Sequence, residues 1–377
     1  MPRIFEIFGK PIATVEDKTI FYEAICPFTE SQCDGGGNRN QTKIKLSDNH
    51  PLRDYFNGDL KSVIPAVCSI QYTADESPLQ NCTQETWVVC PRRLLGFKNI
   101  APAIPEVNRG LQPHEREVLN LANLPKDQEI GIWPEVYLQY GDNDTNSQVD
   151  YHFDFIVAPI IRDLSEEEFY IQHQIQEEQD KREIIKSARR SGVCHRIPGS
   201  KIRFDISPDL SHPIIFEVMT ASTSGSNTEK GTDIASAFTA AMIGNDPISP
   251  GINKRQVWGR MATQLFAKSA LAEAWGGETF WVVQDELLSN IEKTTQLSVG
   301  EIETASQENI NFISMTYDSL GSNKPIIKIK QVYCNYSGIS FTKNNAAVDI
   351  LLPKALPHKK ELLKSILRRN LAAIVRL

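Results

Sequence analysis

The chain has 377 residues, of which 41% are hydrophobic and 23% charged, a composition typical of a globular protein with one large or two medium domains. Its formal net charge of −7 argues against a uniformly basic nucleic-acid-binding surface. The N-terminal residues lack the regions of a signal peptide, and no apolar run is long enough to cross a bilayer. We therefore expect a soluble intracellular protein with no membrane partner.

The first hundred residues predict a small, loop-rich module. Short strands are expected over residues 1–25, and the glycine- and asparagine-rich stretch at 33–41 predicts a flexible loop. The segment TWVVCPRRLL at 86–95 predicts a strand that runs into a turn. Two prolines within 98–112, followed by Pro113, indicate a boundary, so we predict one module over residues 1–105 and a larger unit over 106–377.

The larger unit alternates predicted helices with predicted strands. Helices are expected at 114–124, 164–190, 253–275 and 358–375, the second strongly charged, the third amphipathic and the fourth basic. Strands are expected at 135–141, 149–161, 203–207, 213–220 and 326–334, with a further strand in ETFWVVQDELL. This order predicts an α/β fold with a mixed central sheet and no internal repeat.

Charge is distributed unevenly along this unit. Residues 163–180 carry seven acidic side chains and no basic one, whereas 181–203 carry eight basic side chains and one acidic one. The C-terminal residues 354–377 hold seven Lys or Arg and a single acid, Glu361. Basic stretches of this kind bind a phosphate backbone even in an acidic protein, or else form solvated helix faces. Both interpretations stay open.

The seven cysteines are concentrated near the N-terminus, where Cys26, Cys33, Cys68, Cys82 and Cys90 all lie. An odd count without a secretory signal argues against a disulfide framework. No CxxC pair is present, so the spacing does not indicate a zinc finger. Proline follows the first and the last of these cysteines, which favours turns that leave backbone amides free to face a sulfur atom. Two interpretations of these cysteines stay open: scattered buried thiols, or a metal site with four thiolate ligands.

Two carboxylates lie inside segments that otherwise predict buried strands, Asp154 in HFDFIVAP and Glu217 in PIIFEVMT. Burying an unpaired charge costs several kcal/mol, so each needs a partner. Two acids that meet on one sheet face form an oxygen-rich site for Mg²⁺, which would activate a water for attack on a phosphodiester. A core salt bridge from Glu217 to an arginine such as Arg203 is the alternative.

Several short segments of the chain follow one another in an order that carries a family resemblance. They are EIFGKPI at 6–12, CPF at 26–28, the single Cys33 and Cys68, WVVCPRRLL at 87–95, HFDF at 152–155, FEVMTASTSGS at 216–226, DIA at 233–235 and RMATQLFAKSAL at 260–271. In this order, over most of its length, the chain resembles the NotI-like type II restriction endonucleases of the PD-(D/E)xK nuclease superfamily.

The resemblance implies a restriction-endonuclease-like core preceded by a module in which four cysteines hold an iron atom. By that match the ligands are Cys26, Cys33, Cys68 and Cys90, with Cys82 spare. Zinc also suits a tetrahedral thiolate site, and either metal would act structurally. Arg92 and Arg93, just after the last ligand, would then meet DNA through guanine or phosphate contacts.

The resemblance also implies the reaction: Mg²⁺-dependent hydrolysis of both strands of a palindromic DNA duplex, with Asp154 and Glu217 as catalytic metal ligands. Symmetric cutting calls for a homodimer. The family's biology implies a bacterial cytoplasmic location and a cognate DNA methyltransferase in the host. The alternative is a sequence-specific DNA-binding protein with a four-cysteine metal module and an inactive nuclease core.

One departure from the superfamily pattern concerns the residue two positions after the catalytic glutamate. The superfamily has lysine there, whereas this chain has Met219, whose thioether cannot orient a water or stabilise negative charge. Gln264 and Lys268 lie four residues apart on one face of the predicted helix and match family positions. We expect one of them to reach the site; a solvent-facing Lys268 is the alternative.

A second departure is the interval of 63 positions between Asp154 and Glu217. It is longer than the hairpin that connects the two acid-bearing strands in the family. We expect residues 163–203 to form a charged helical insertion there. Asp205 and Asp209 lie closer to Glu217 in sequence and rival Asp154 as the first acid, although the motif HFDF favours Asp154. Glu135 either adds a further ligand or is an ordinary strand-edge carboxylate.

Overall fold

The structure is a computed structural model that describes residues 2–35, 43–72, 85–97, 111–122, 124–142, 147–199, 201–223, 233–245, 249–295, 299–301, 310–318, 326–334 and 356–377. The strands in these ranges are β1 (Pro2–Ile7), β2 (Lys10–Pro11), β3 (Ile44–Lys45), β4 (Ser62–Val63), β5 (Val67–Tyr72), β6 (Glu85–Val88), β7 (Glu129–Asp142), β8 (Ser147–Ser165), β9 (Cys194–Arg196), β10 (Ile202–Pro208), β11 (Ile214–Met219), β12 (Glu278–Gln284), β13 (Gly300–Glu301), β14 (Asn311–Asp318), β15 (Ile326–Cys334) and β16 (Ala373–Arg376). The helices are α1 (Thr19–Glu23), α2 (Pro51–Tyr55), α3 (Pro91–Leu94), α4 (Pro113–Leu121), α5 (Glu166–Gln172), α6 (Glu178–Arg190), α7 (Ile234–Met242), α8 (Lys254–Ala274), α9 (Asp285–Thr294) and α10 (Lys359–Leu367).

The larger unit is built on one mixed sheet flanked by helices, which confirms the predicted α/β class. Its strands run in the order β13-β15-β14-β12-β11-β8-β10-β9, and β7 pairs with both β8 and β16. β11, β12 and β14 are parallel to one another, whereas β8 is antiparallel to β7, β10 and β11. With 19 residues, β8 is long enough to pair with β11 at residues 155–157 and with β10 at 160–165.

β11 and β12 lie inside the sheet with both faces covered, which explains their nearly continuous apolar sequences. One face of β11 carries Ile214 and Phe216, which pack with α4 and β16 residues. The opposite face carries Ile215, which packs against the C-terminal half of α8. Glu217 follows on this second face, so it points toward α8 rather than toward solvent.

α8 covers that face through residues at helical spacing. Met261, Leu265, Lys268 and Ala272 recur every three or four positions, and all four are buried. The lysine therefore occupies a position of the helix that otherwise holds apolar side chains. This placement brings a charged group into the layer between α8 and the sheet.

The N-terminal module has its own sheet of four strands, ordered β2-β1-β5-β6. Its apolar core is completed by α7, whose Ile234, Ala237, Phe238 and Met242 pack into it. A helix that follows β11 in sequence therefore belongs to the core of the first hundred residues. The predicted boundary at residue 105 and residues 36–41 of the loop predicted at 33–41 lie outside the described residues.

The charged segment differs from the single helix predicted at 164–190. It forms α5 and α6, because Gln174 adopts a left-handed backbone with φ of +54° between them. α5 begins at a capping box formed by Ser165 and Glu168. The rest of the predicted insertion adds β9 and the start of β10 to the edge of the sheet, so it is only partly helical.

The C-terminal segment differs from the single helix predicted at 358–375. α10 ends at Leu367, and β16 then pairs antiparallel with β7, with Ile374 opposite Gly131. Ile374 and Val375 are fully buried and β-branched, which favours a strand once the helix has ended. Among the described helices, none combines the length and apolar character needed to span a membrane.

Candidate functional site

Asp154 of β8 and Glu217 of β11 lie side by side. Phe216 pairs with Phe155 in the antiparallel register, so the next position along each strand brings the two acids together. The backbone N–H of Val218 donates a hydrogen bond of 2.7 Å to Asp154 Oδ2. Strand pairing therefore sets the position of both carboxylates, as expected from the two sequence segments.

Glu217 is 2% exposed, and its two carboxylate oxygens differ in their surroundings. Oε2 accepts a hydrogen bond of 2.5 Å from Lys268 Nζ. Oε1 is buried without a hydrogen-bond partner among the described residues. Burial raises the pKa of Glu217 to about 8, an effect that the charge of Lys268 opposes and that of Asp154 reinforces. A buried acceptor that lacks a donor, beside a second carboxylate, fits the oxygen ligands that Mg²⁺ requires.

Lys268 enters the site from α8 and is itself only 5% exposed. The alternative prediction of a solvent-facing lysine is therefore wrong. Gln264 is exposed, and its Oε1 lies 3.5 Å from Lys268 Nζ, so it contacts the lysine rather than the acids. Met219, on the strand, packs in an apolar cluster with Trp281 and Leu265. The ammonium group thus comes from a different element than the superfamily pattern predicts.

The two rival acids lie elsewhere. Asp205 Oδ2 is 2.9 Å from Nδ1 of His195 on β9, and Asp209 Oδ1 accepts a hydrogen bond from the backbone N–H of Ser211. Arg203, the alternative partner suggested for Glu217, instead lies 3.5 Å from Asp163. Of the three candidates for the first acid, the structure brings Asp154 to Glu217.

Glu135 lies across from Asp154, where the pairing of β7 and β8 is interrupted. Pro134 pairs with Phe155 and Val136 with Phe153, while the backbone of Glu135 is left-handed with φ of +49°. A left-handed conformation is uncommon for glutamate, and such outliers cluster at functional sites. Although 64% of the side chain is exposed, desolvation raises the pKa of Glu135, and the charge of Asp154 raises it further.

A cleft of about 120 Å³ opens beside these carboxylates and is shared by the module and the sheet. Its walls are formed by Thr29, Ser31, Pro91, Arg92, Leu95, Gly96, Phe97, Pro134, Glu135, Asp154, Phe155 and Val218. Burial raises the pKa of Asp154, and the positive charges of Lys268 and Arg92 oppose that increase. Two positively charged groups from different elements therefore surround the acids.

The two arginines that follow Cys90 have different environments. Arg92 is 27% exposed, with its guanidinium 2.6 Å from Asp34 and 3.9 Å from Glu135. Arg93 is buried, and its guanidinium donates hydrogen bonds of 3.3 Å to the Glu6 carboxylate. Contrary to expectation, Arg93 is not displayed to a DNA duplex, because its donors face the interior of the module.

The four cysteines singled out by the resemblance pack together with Phe28: Cys26, Cys33, Cys68 and Cys90. Two backbone amides face their sulfur atoms, with Gly9 N 3.3 Å from Cys68 Sγ and Gly35 N 3.5 Å from Cys33 Sγ. Cys82 lies outside the described residues. N–H groups directed at sulfur favour thiolates, so this donor set suits a tetrahedral iron or zinc ion.

Two of these thiols are held as neutral groups. Burial raises the pKa of Cys33 to about 12, and a hydrogen bond between the thiols of Cys68 and Cys90 raises the pKa of Cys68. Across the described ranges, no three His, Cys, Asp or Glu side chains stand in a ready-made metal-binding arrangement. Binding a metal would therefore require the thiols to lose protons and close around the ion.

Some of the polar groups that line the cleft carry no sequence signal. Thr29 and Ser31 are ordinary polar residues in sequence, and the topology alone brings them to the cleft. Lys268 did carry a signal, because it occupies a position of the apolar repeat of α8.

Comparison with known proteins identifies no relative: no family model, no curated protein and no solved structure matches the chain.

Proposed function

We propose that the chain is a magnesium-dependent endonuclease that cuts duplex DNA at specific sites, with a core of the PD-(D/E)xK type. The observation that carries the proposal is the meeting of Asp154, Glu217 and Lys268 at one point, two acids from paired strands and an ammonium from α8. Two acids and a lysine are the chemical groups of that superfamily, although here the lysine lies on a helix.

Each group has a defined task in phosphodiester hydrolysis. Asp154 and the free Oε1 of Glu217 would hold Mg²⁺, which, when bound, supplies charge that activates water and neutralises charge on the phosphate. Lys268 donates a hydrogen bond to Glu217 Oε2, orients that carboxylate and keeps a positive charge beside the site. Because α8 buries both groups, their interactions are weakly screened.

Basic side chains near the acids support nucleic acid as the substrate. Arg92 borders the cleft, and the exposed Arg369 of the C-terminal basic stretch is close enough to Glu135 for its charge to lower that pKa. Arg182, Lys186, Arg189 and Arg190 of α6 are exposed or partly exposed on the other basic stretch. We propose that these residues bind phosphates of a palindromic DNA duplex. The duplex would be bound by a homodimer, and a methyltransferase would protect the host DNA.

The test is cleavage of bacteriophage DNA by the purified protein with Mg²⁺ and, separately, with EDTA. We expect discrete fragments with Mg²⁺ alone, and we expect Glu217→Gln and Asp154→Asn to abolish cleavage while duplex binding in EDTA is retained. Asp205→Asn is the matched control, since that acid lies on a neighbouring strand but pairs with His195.

Intact DNA under both conditions, across several substrates, would refute the nuclease. Binding without cutting would favour the sequence-specific DNA-binding protein, for which Met219 is the supporting feature. Cleavage by Glu217→Gln, or loss of cleavage in Asp205→Asn, would show that the acids have been assigned wrongly.

A further inference from the structure

We infer that Arg92 binds the phosphate that is cut, so that the N-terminal module contributes directly to the active site. This inference rests on the proposed nuclease function and goes beyond it, since the acids and Lys268 all belong to the sheet and α8. The starting observation is the shared cleft, which both Arg92 and Asp154 line.

The size of the cleft indicates what enters it. The cleft has a volume of about 120 Å³, which is enough to admit a group the size of a phosphate. Arg92 is directed into this space by the short helix that starts at Pro91, directly after Cys90.

The polar groups of the module wall match a phosphodiester. The guanidinium of Arg92 offers paired N–H donors, the geometry that recognises two phosphate oxygens. Thr29 Oγ1 and Ser31 Oγ, which also line the cleft, are hydrogen-bonded to each other at 2.8 Å, and the hydroxyl that accepts this bond has its own hydrogen left to donate. Asp154, one of the acids that would hold the metal, lines the same cleft, so donors for the phosphate and a ligand for the cation share one space.

Asp34 and Glu135 keep the arginine in place. Asp34 Oδ2 is 2.6 Å from the guanidinium on the module side, and Glu135 Oε1 is 3.9 Å away on the sheet side. The longer contact is the one that an incoming phosphate would replace or share. Arg92 therefore spans the junction between module and sheet, and we assign it a substrate-binding role there.

The experiment compares Arg92→Met and Arg92→Lys with the unmodified chain. We expect Arg92→Met to lower kcat at saturating DNA about 100-fold at every cleavage site, without changing the fragment pattern, because it removes one stabilising donor group. In EDTA, where nothing is cut, duplex affinity should depend less steeply on salt concentration. The slope of log affinity against log salt should decrease by the contribution of about one phosphate contact. Arg92→Lys should recover part of both losses, since it keeps the charge.

Arg53→Met is the matched control. Arg53 belongs to the same module and pairs with Asp48 at 2.9 Å, away from the cleft, so kcat should not change. A normal kcat with altered target preference in Arg92→Met would make Arg92 a base reader and overturn the inference. If Arg92→Met and Arg92→Lys lower the melting temperature equally, Arg92 has a structural role and the inference is wrong. Absence of cleavage by the unmodified chain would instead refute the nuclease itself, and this role with it.

Discussion

Lys268 and Glu217 form an ion pair inside the protein, with their charged atoms 2.5 Å apart. Replacing a buried ion pair by apolar residues is often neutral or stabilising, so such a pair is weak evidence for a role in stability. The geometry also leaves Glu217 Oε1 without a donor among the described residues, which a purely structural pair would be expected to satisfy. We therefore interpret the pair as retained for chemistry.

This interpretation predicts the effect of Lys268→Met. Cleavage should fall at least about 100-fold, because the ammonium that orients Glu217 is lost. The protein should still fold, since Glu217 has a raised pKa and can take up a proton once its partner is gone. Cleavage rates and urea unfolding, measured on the same preparation, check both expectations.

The double variant Lys268→Met/Met219→Lys tests where the ammonium has to be. Met219 lies two residues after Glu217 on the same strand face, so a lysine there approaches the same carboxylate. We expect a recovery of about tenfold or more over Lys268→Met alone. Equal activity of the single and double variants, in a folded protein, would contradict the assignment of this role to Lys268.

The sequence allowed the acids to be predicted better than their surroundings. Asp154 and Glu217 each interrupt an apolar strand, and because burying an unpaired charge is costly, each is expected to lie beside a partner group. Arg93 shows what local sequence does not predict. Its sequence neighbours are those of Arg92, yet it is buried because Glu6, 87 positions earlier, lies against it. A partner so distant in sequence is not detectable from local pattern.

At the scale of elements, α6 and α10 are joined by a cluster of charges. Lys364 Nζ lies 2.6 Å from Asp180 Oδ1, and Lys360 Nζ lies 3.1 Å from Asp180 Oδ2. Asp180 and Lys364 are both buried, and Lys364 also lies 3.3 Å from Glu183. The cluster attaches the acidic start of the charged segment to the basic C-terminal helix.

Asp180→Asn should destabilise the protein by about 1–3 kcal/mol, because the buried ammonium of Lys364 loses its closest carboxylate. The ammonium keeps Glu183 at 3.3 Å and Glu361 at 3.4 Å. Urea unfolding with constant slope would measure this. Lys181→Ala is the comparison: Lys181 forms an exposed pair with Glu178 at 2.7 Å, and its loss should cost less than about 1 kcal/mol. Equal effects of the two variants would argue against a stabilising role for the cluster.

Helices and strands were predicted correctly where one spacing of apolar residues continued through the whole segment. The apolar runs of β8 and β11 and the long helix α8 were found close to their observed bounds. The C-terminal segment was predicted as a single helix because its basic residues continue past Leu367. Its last residues form β16 instead, since β7 offers an unpaired strand edge that only the tertiary structure provides.

At the scale of the whole molecule, the cysteine cluster predicts a metal-dependent stability. Cys68→Ser should remove bound iron or zinc, detected by elemental analysis, and should lower the melting temperature, because a thiolate site contributes its binding energy to folding. Cys194→Ser, a buried cysteine outside the cluster, should retain the metal. If the unmodified protein carries no metal and melts as Cys68→Ser does, the metal site is refuted.

Acid should destabilise the protein partly through His114. This side chain is buried, its Nε2 is 3.0 Å from the Leu94 carbonyl oxygen, and burial lowers its pKa to about 4. The unfolded chain binds a proton near pH 6.5 and the folded chain does not, so stability present above that pH is lost as the pH falls toward 4.

The expected contribution of His114 over that interval is at most about 3 kcal/mol. Urea unfolding at several pH values, compared with His114→Gln, measures it: the variant should lose stability less steeply with acid. His173, whose pKa is also lowered to about 4 by burial, should leave the variant with some of the dependence. Parallel curves for the two proteins would contradict the role of His114.

The packing of α7 into the core of the N-terminal module has a consequence for synthesis on the ribosome. Met242 is the last α7 residue in that core. The hydrophobic core of the module therefore stays incomplete until some 242 residues have been translated. Until then the apolar face of the module that α7 covers stays open. A fragment ending at residue 105 should therefore bind chaperones or aggregate, whereas co-expression with a fragment carrying α7 should rescue it.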